Sequence, residues 1–344
     1  MNATPRRTSL LAIRLSRAAR RRARVAFFVA CALASAPLQA QYTGADGKLH
    51  VALARQPFSP TGTSRGPETM AMGGIQDTLA RLGAIVRMNE AKLTTDEDTE
   101  YGGWKRLGMA LGHFGDIVAQ NERDGWFTVG LLTTCPSMPG LVAGLQRSGA
   151  AGRPLRIGML WLDAHPDFNT PETTRSGSLG GMPVAVATGR ALPVMRADAR
   201  LDPPLRDIDV VMGGVRLTDP LEQKLLDGSR IQQVSVDDLR TASPAVFAQL
   251  DRLDGAVDKI YIHIDMDVLD PAEVMGHGNK VPNGPSSAQL ARLFEQIFSR
   301  YRKASAIGFA TIPPTDSGGL SIAAFNRMVA GAVRGVQARE RRPR

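Results

Sequence analysis

The sequence predicts an α/β protein of three layers, with a mostly parallel sheet of about eight strands between two layers of helices. Three observations carry this. Short apolar runs alternate with segments of helical periodicity from residue 48 onward, the pattern of strands joined by helical crossovers. Two of the runs, at 157–162 and 259–264, are apolar at nearly every position, as strands covered on both faces must be. Each of these two then ends in alternating acidic residues, at the strand edge where open α/β sheets hold their ligands.

Taken in order, residues 50–54 read as the first strand. The Gly/Pro-rich loop 60–67 leads into a helix over 68–82, stopped by Gly83. A second strand is expected at 84–88, then a polar, acidic loop over 92–101. Leu107, Leu111, Phe114 and Val118 fall on one face of a helix over 104–121. Strands follow at 127–132 and 157–162, with a helix at 141–148 between them. Further strands are expected at 208–212 and 232–236, with a short helix between them, and a helix at 246–253 precedes the strand at 259–264. Ser286 has the chemistry to cap a helix reaching about residue 301. A last strand at 306–310 and a last helix at 321–336 complete one domain over 41–336, and 337–344 is a charged tail expected to fray. Met70 and Met72 are expected to be packing residues, and no internal repeat is evident.

The formal charge of +9 is concentrated at the N-terminus. Residues 1–40 contain eight arginines and no acid, so subtracting those eight leaves +1 for the rest of the chain. That distribution argues against a nucleic-acid surface, which needs basic residues clustered on the folded domain. Residues 1–40 have the three parts of a secretory signal: a basic stretch ending at Arg24, an apolar stretch over 25–38, and Leu38-Gln39-Ala40 as an imperfect cleavage site. An organelle transit peptide or a start placed too early are the rival readings. The expectation is an exported, periplasmic or secreted protein with no membrane span left after signal removal. Cleavage would remove Cys31, leaving Cys135 alone and no intrachain disulfide.

The chemistry lies at the two acidic strand ends. Asp163, His165 and Asp167 stand at i, i+2 and i+4, and in extended geometry share one side of the chain. Asp265, Asp267 and Asp270 repeat the pattern after the second apolar run. Carboxylates with an imidazole suit a hard or borderline divalent metal, whereas isolated carboxylates of this kind would be caps and turn formers. Asp270-Pro271 reads as a turn. His263 shares a side of its strand with Asp265 but sits deeper, as a hydrogen-bonded core histidine.

With those residues in place, the chain resembles the arginase/agmatinase (ureohydrolase) family over about 48–335. The motifs are Asp163-Ala-His-Pro-Asp-Phe-Asn-Thr-Pro171 continuing through Ser176-Gly-Ser-Leu-Gly-Gly-Met-Pro183, and Asp265-Met-Asp-Val-Leu-Asp-Pro271. Gly66-Pro67 and Gly214-Val-Arg-Leu-Thr-Asp-Pro-Leu-Glu222 add weaker support. The resemblance implies one α/β/α domain and two Mn²⁺ ions whose shared hydroxide attacks a planar carbon of guanidino type. It implies Asp163, His165, Asp167, Asp265 and Asp267 as metal ligands, with Asp163 and Asp265 contacting both ions and Asp167 counted also in the catalytic set. Asn169, Thr174 and Ser176 match a loop for a substrate α-carboxylate, and Asp219 an acid near the α-amino group; Asn169 and Ser176 are equally suited to satisfying the loop's own backbone.

Three departures mark this chain. Leu132-Thr-Thr-Cys135 stands where the family has Gly-Gly-Asp-His, so Cys135 is either a softer metal ligand, favouring Zn, Fe, Co or Ni, or a small buried hydrophobe. Gly180 stands where a histidine proton shuttle is expected. Thr311 replaces a glutamate that grips the guanidinium. His277, in the Gly-rich loop after the second cluster, is the candidate replacement shuttle; the alternative is a solvent-facing loop histidine. Two functions follow: a metal-dependent hydrolase of linear C–N bonds acting on a small amidine or guanidino substrate, or an exported pseudoenzyme that binds a metal or small ligand without turnover. The family often forms homo-oligomers, though no residue here argues for one.

Overall fold

Among the described residues of the computed structural model, ten strands form, eight of them in one parallel sheet. It describes residues 42–150, 153–313 and 319–341. The proposed targeting segment, residues 1–40, lies outside the described residues. The sheet strands are β1 (His50–Gln56), β2 (Ile85–Glu90), β3 (Phe127–Leu132), β4 (Ile157–Leu162), β5 (Val210–Gly213), β6 (Gln232–Val234), β7 (Lys259–Asp265) and β8 (Ala304–Ala310). Their spatial order is β2-β1-β3-β8-β7-β4-β5-β6. Every neighbouring pair in this sheet is parallel. The other two strands are two-residue pieces, Phe58–Ser59 and Gly62–Thr63, paired antiparallel, the second of them inside the loop expected at 60–67. Central position follows composition. β3, β4 and β8 are buried at every residue, whereas the edge strand β2 carries Arg87, Asn89 and Glu90 and is only partly covered.

Helices cover both faces. The longer ones are α1 (Gly103–Arg123), α2 (Met138–Gln146), α3 (Pro220–Asp227), α4 (Pro244–Ala256), α5 (Ser287–Arg300) and α6 (Leu320–Glu340). The expected stripe of α1 is real: Leu107, Leu111, Phe114 and Val118 are each 0–1% exposed. At about 1.5–3 kcal/mol per fully buried side chain, that stripe rather than helix propensity holds α1 on the sheet. Along β4 the faces alternate. Ile157, Met159 and Trp161 pack with α1 and α2, while Leu160 and Leu162 pack with α4, α5 and α6. Ser286 caps α5, accepting the Gln289 N–H at 3.2 Å, with Gln289 Oε1 returning to the Ser286 N–H at 2.8 Å.

Three expectations change. The loop expected over 92–101 contains a one-turn helix, Thr95–Asp98, capped by Thr94. The helix over 68–82 is broken at Gly73 and Gly74, where Gly74 takes φ +81°; Met70 is buried but Met72 is 75% exposed. Met72 lies two residues past Met70, about 200° round the helix, so the two do not share the buried face. The tail expected from residue 337 is helical through Glu340. Its anchor is Arg339, 2% exposed, which donates from Nη1 to the carbonyls of Tyr301 and Ala304 at 2.9 Å each and lies over the Tyr42 ring. Residues 342–344 lie outside the described residues. Among the described residues, no helix is long and apolar enough to cross a membrane.

Candidate metal centre

Four adjacent central strands, β3, β8, β7 and β4, deliver their C-terminal ends to one cavity of about 450 Å³. After β3 comes Cys135, in the short turn Cys135–Ser137. After β8 comes Thr311. β7 ends on Asp265, and Asp267 follows in the turn Met266–Val268. After β4 come Asp163, His165 and Asp167, all lining the cavity. Extended geometry does not persist through this last group, as the i, i+2, i+4 spacing assumed. β4 stops at Leu162, the Asp163 carboxylate turns back to accept the His165 N–H at 2.7 Å, and Asp167 adopts φ +49°. The loop, rather than strand pleating, brings Asp167 to the cavity.

Three groups of donors each lie close enough to surround one ion: Cys135, Asp163 and Asp265; Asp163, His165 and Asp267; and Asp265, Asp267 and His277. Each of the three aspartates belongs to two groups, so the groups overlap within one cavity. Asp167 lines the same cavity outside these groups. His165 Nδ1 lies 3.2 Å from Asp267 and 3.4 Å from Asp163.

The electrostatics call for a cation. Asp163, Asp167, Asp265 and Asp267 are each at most 8% exposed. Burial, then the neighbouring carboxylates, push Asp163 and Asp167 well above the usual carboxylate range. Asp265 goes the other way, to about 2: burial raises it, but His277, the Asp267 amide and Cys135 outweigh burial. His165 is raised, because the hydrogen bond and charge of Asp267 overcome its desolvation. Burial and the charges of Asp265, Asp163 and Asp167 push the Cys135 thiol up. A bound divalent ion reverses that repulsion and favours the deprotonated ligands, so this donor set fits such an ion.

Cys135 is 3% exposed, within 2.8 Å of Asp265 Oδ2 and 3.3 Å of His263 Nε2. Thr311, at φ +62°, donates its hydroxyl to the same Asp265 Oδ2 at 2.6 Å. A β-branched residue in the left-handed region costs on the order of 1–3 kcal/mol, and here the strained residue sits against the ligand set. His263 is the core histidine expected, 0% exposed and held down to about 3 by burial.

His277 is no solvent-facing residue: it is 5% exposed, with Nε2 3.5 Å from Asp265 Oδ1. Its Nδ1 accepts the Asn279 N–H at 3.2 Å, so Nε2 carries the proton of the neutral ring. Asn169, Thr174, Ser176 and Asp219 all line the cavity. Thr174 and Ser176 also satisfy their loop, accepting the N–H groups of Gly177 and Ser178 at 3.1 and 3.2 Å. Asn169 is buried and accepts the Thr173 hydroxyl at 2.9 Å. Asp219 is the residue before α3. Sequence reasoning missed Glu222, 4% exposed, which lines the cavity and accepts the Phe168 N–H at 2.7 Å. The Asp219-x-x-Glu222 spacing was its signal, since Glu222 also accepts the Asp219 N–H at 3.3 Å as a helix-start residue does.

The sequence model of the arginase family matches residues 136–330. An arginase of Agrobacterium fabrum is 27% identical over 256 residues, covering 70% of this chain and 75% of that one. The arginase structure from Bacillus caldovelox superposes with a TM-score of 0.70 at 22% identity, covering 83% of this chain and 98% of that one. A formimidoylglutamase structure from Bacillus subtilis gives a TM-score of 0.63 at 17% identity, covering 84% and 88%.

Proposed function

Since the chain belongs to the arginase family, we propose that it is a metal-dependent hydrolase of a C–N bond in a small linear amidine or guanidino compound. The observation that carries this is the convergence of Asp163, His165, Asp167, Asp265 and Asp267 on one cavity at the strand ends. Two divalent ions, Mn²⁺ by family expectation, would be held by these residues, with Asp163 and Asp265 shared. A divalent cation bound there supplies a water of lowered pKa and polarises the carbon to be attacked.

The protein's own groups do the rest. His277 presents its Nε2–H toward the ligand set, fixed in that tautomer by Asn279, and has no closer partner among the described residues. We assign it the proton donor to the leaving nitrogen, the task left open by Gly180. Asn169, Thr174, Ser176 and Asp219 would hold the far end of the substrate, in keeping with an amino-acid tail. Thr311, already engaged with Asp265, offers no carboxylate for bidentate pairing with a guanidinium. That favours a reacting end other than arginine's, such as a formimino or smaller amidine group.

The test is metal analysis of the purified protein with a screen for urea or ammonia release over arginine, agmatine, guanidinobutyrate and formimino compounds. Turnover with bound metal, abolished by Asp163→Ala, is expected. Metal-free protein without turnover on any of them, or turnover untouched by Asp163→Ala, would overturn the assignment.

A further inference from the structure

Behind Cys135 lies a buried polar chain that the proposed reaction does not use. Tyr261, His263 and Asp265 alternate along β7 and so project to the same side of the strand. Tyr261 and His263 are both 0% exposed. The His263 ring is stacked on Trp161 of β4, with centroids 4.1 Å apart and planes at 7°. On the other side, Gly308 of β8 is in register with His263, and a Cβ at Gly308 would come within 2.3 Å of the Tyr261 hydroxyl. The absent side chain at 308 is therefore the space that lets Tyr261 reach Nδ1 of His263, 2.8 Å away. Nε2 of the same ring lies 3.3 Å from Cys135 Sγ.

The direction of these hydrogen bonds follows from proton accounting. Among the described residues, Nδ1 of His263 is the acceptor available to the Tyr261 O–H. Were Nδ1 protonated, the phenol would accept instead and its own proton would be buried without a partner, at a cost of about 1–3 kcal/mol. Tyr261 therefore donates to Nδ1, the ring proton resides on Nε2, and Nε2–H donates to sulfur. The thiol sulfur receives this N–H and aims its own S–H at Asp265 Oδ2, 2.8 Å away, beside Asp163 and Asp265 within one donor group; exchanging that proton for a cation would make it a ligand.

We propose that Cys135 binds the metal as a thiolate, and that Tyr261 and His263 are positioning residues that hold and stabilise that thiolate. The inference rests on the metal-centre reading above. Binding transfers the thiol proton to solvent and forms a sulfur–metal bond. Outer hydrogen bonds of this kind orient a ligand and tune its affinity. A thiolate in this position shifts preference from Mn²⁺ toward Co²⁺, Fe²⁺ and Zn²⁺.

The experiment uses the full chain, stripped with chelator and reloaded with Co²⁺, with metal content and near-ultraviolet absorption both measured. Bound cobalt with a sulfur-to-cobalt charge-transfer band, lost in Cys135→Ser, is expected. His263→Leu should weaken cobalt binding by about 10- to 100-fold, while His263→Gln, whose amide can present an N–H to sulfur, should recover much of it. Nitrogen-15 histidine spectra of the zinc-loaded wild type should show His263 protonated on Nε2, a reading that stands even if His263→Leu does not fold. Cobalt bound without the band removes Cys135 from the ligand set and leaves the metal centre standing. No cobalt bound at all overturns the metal centre itself. An Nδ1-protonated His263, or unchanged affinity in a folded His263→Leu, overturns the positioning role.

Discussion

Gly308→Ala is the substitution that the packing around His263 makes most informative. The added methyl would lie 2.3 Å from the Tyr261 hydroxyl, 3.2 Å from its ring carbon Cζ and 3.2 Å from Leu132 Cδ1. Tyr261 is fully buried in a central strand, so it has no open side toward which to retreat. Overpacking of this kind costs about 1–3 kcal/mol. Displacing the hydroxyl from Nδ1 adds the loss of one buried hydrogen bond, about 0.5–1.5 kcal/mol. The expected destabilisation is therefore about 2–4 kcal/mol, read from the midpoint and slope of urea unfolding of chelator-treated protein. In a Tyr261→Phe background the 2.3 Å contact disappears and only the two 3.2 Å contacts remain, so the same methyl should cost about 1 kcal/mol or less. The double-mutant cycle should show a coupling of about 1–3 kcal/mol. Strict additivity, or a Gly308→Ala protein as stable as the wild type, would refute the claim that residue 308 is vacant for the sake of the Tyr261 hydroxyl.

Other consequences can be checked alongside. Asp267→Asn removes one of four crowded carboxylates, so it should raise the melting temperature of chelator-treated protein while shrinking the rise on adding metal; calorimetry with and without metal reads both. In the metal-free protein Asp163 and Asp167 carry raised values, so their contribution to stability is complete below the ordinary carboxylate value of about 4 and is lost as pH rises through the raised values. Urea midpoints across that range should fall with rising pH, and saturating metal should abolish the fall. At equal metal loading, His277→Gln should lower kcat by about 10²–10⁴-fold on whichever substrate turns over. Arg339→Ala should destabilise by about 3 kcal/mol, since it strips two buried carbonyls of their donor; a shift below 0.5 kcal/mol would show that the last turn of α6 does not anchor.

The six inner strands of the main sheet were legible because their apolar runs are continuous or nearly so, the edge strands β2 and β6 carry polar residues and were placed from alternation with helices, and the two acidic runs marked the edge where the site lies. Strand order was not legible, because nothing local in residues 304–310 says that they insert between β3 and β7. His277 shows why composition misleads. Its loop is rich in glycine and polar residues, yet Arg216 pins that loop over the acidic strand end, donating to the carbonyls of Asp267, Val281 and Pro282 at 3.0, 2.9 and 2.9 Å. That clamp spans distant sequence and leaves no local trace. Thr174 and Ser176 were read from a motif, and the structure gives each a backbone duty as well as a place on the cavity wall.

The placement of β8 also sets a timetable for biosynthesis. Among the described strands of the sheet it is the last to leave the ribosome, and it fills the gap between β3 and β7. Until it arrives, β2-β1-β3 and β7-β4-β5-β6 are two half-sheets, each with an unpaired apolar margin, the kind of edge that recruits foreign strands. Cys135 sits on one half and the acidic cluster on the other, so neither half alone holds the whole ligand set. A nascent chain halted before Ala304 should therefore be sticky and short of Cys135 in its metal set, and competence to bind metal through all these ligands should appear only once β8 has been made.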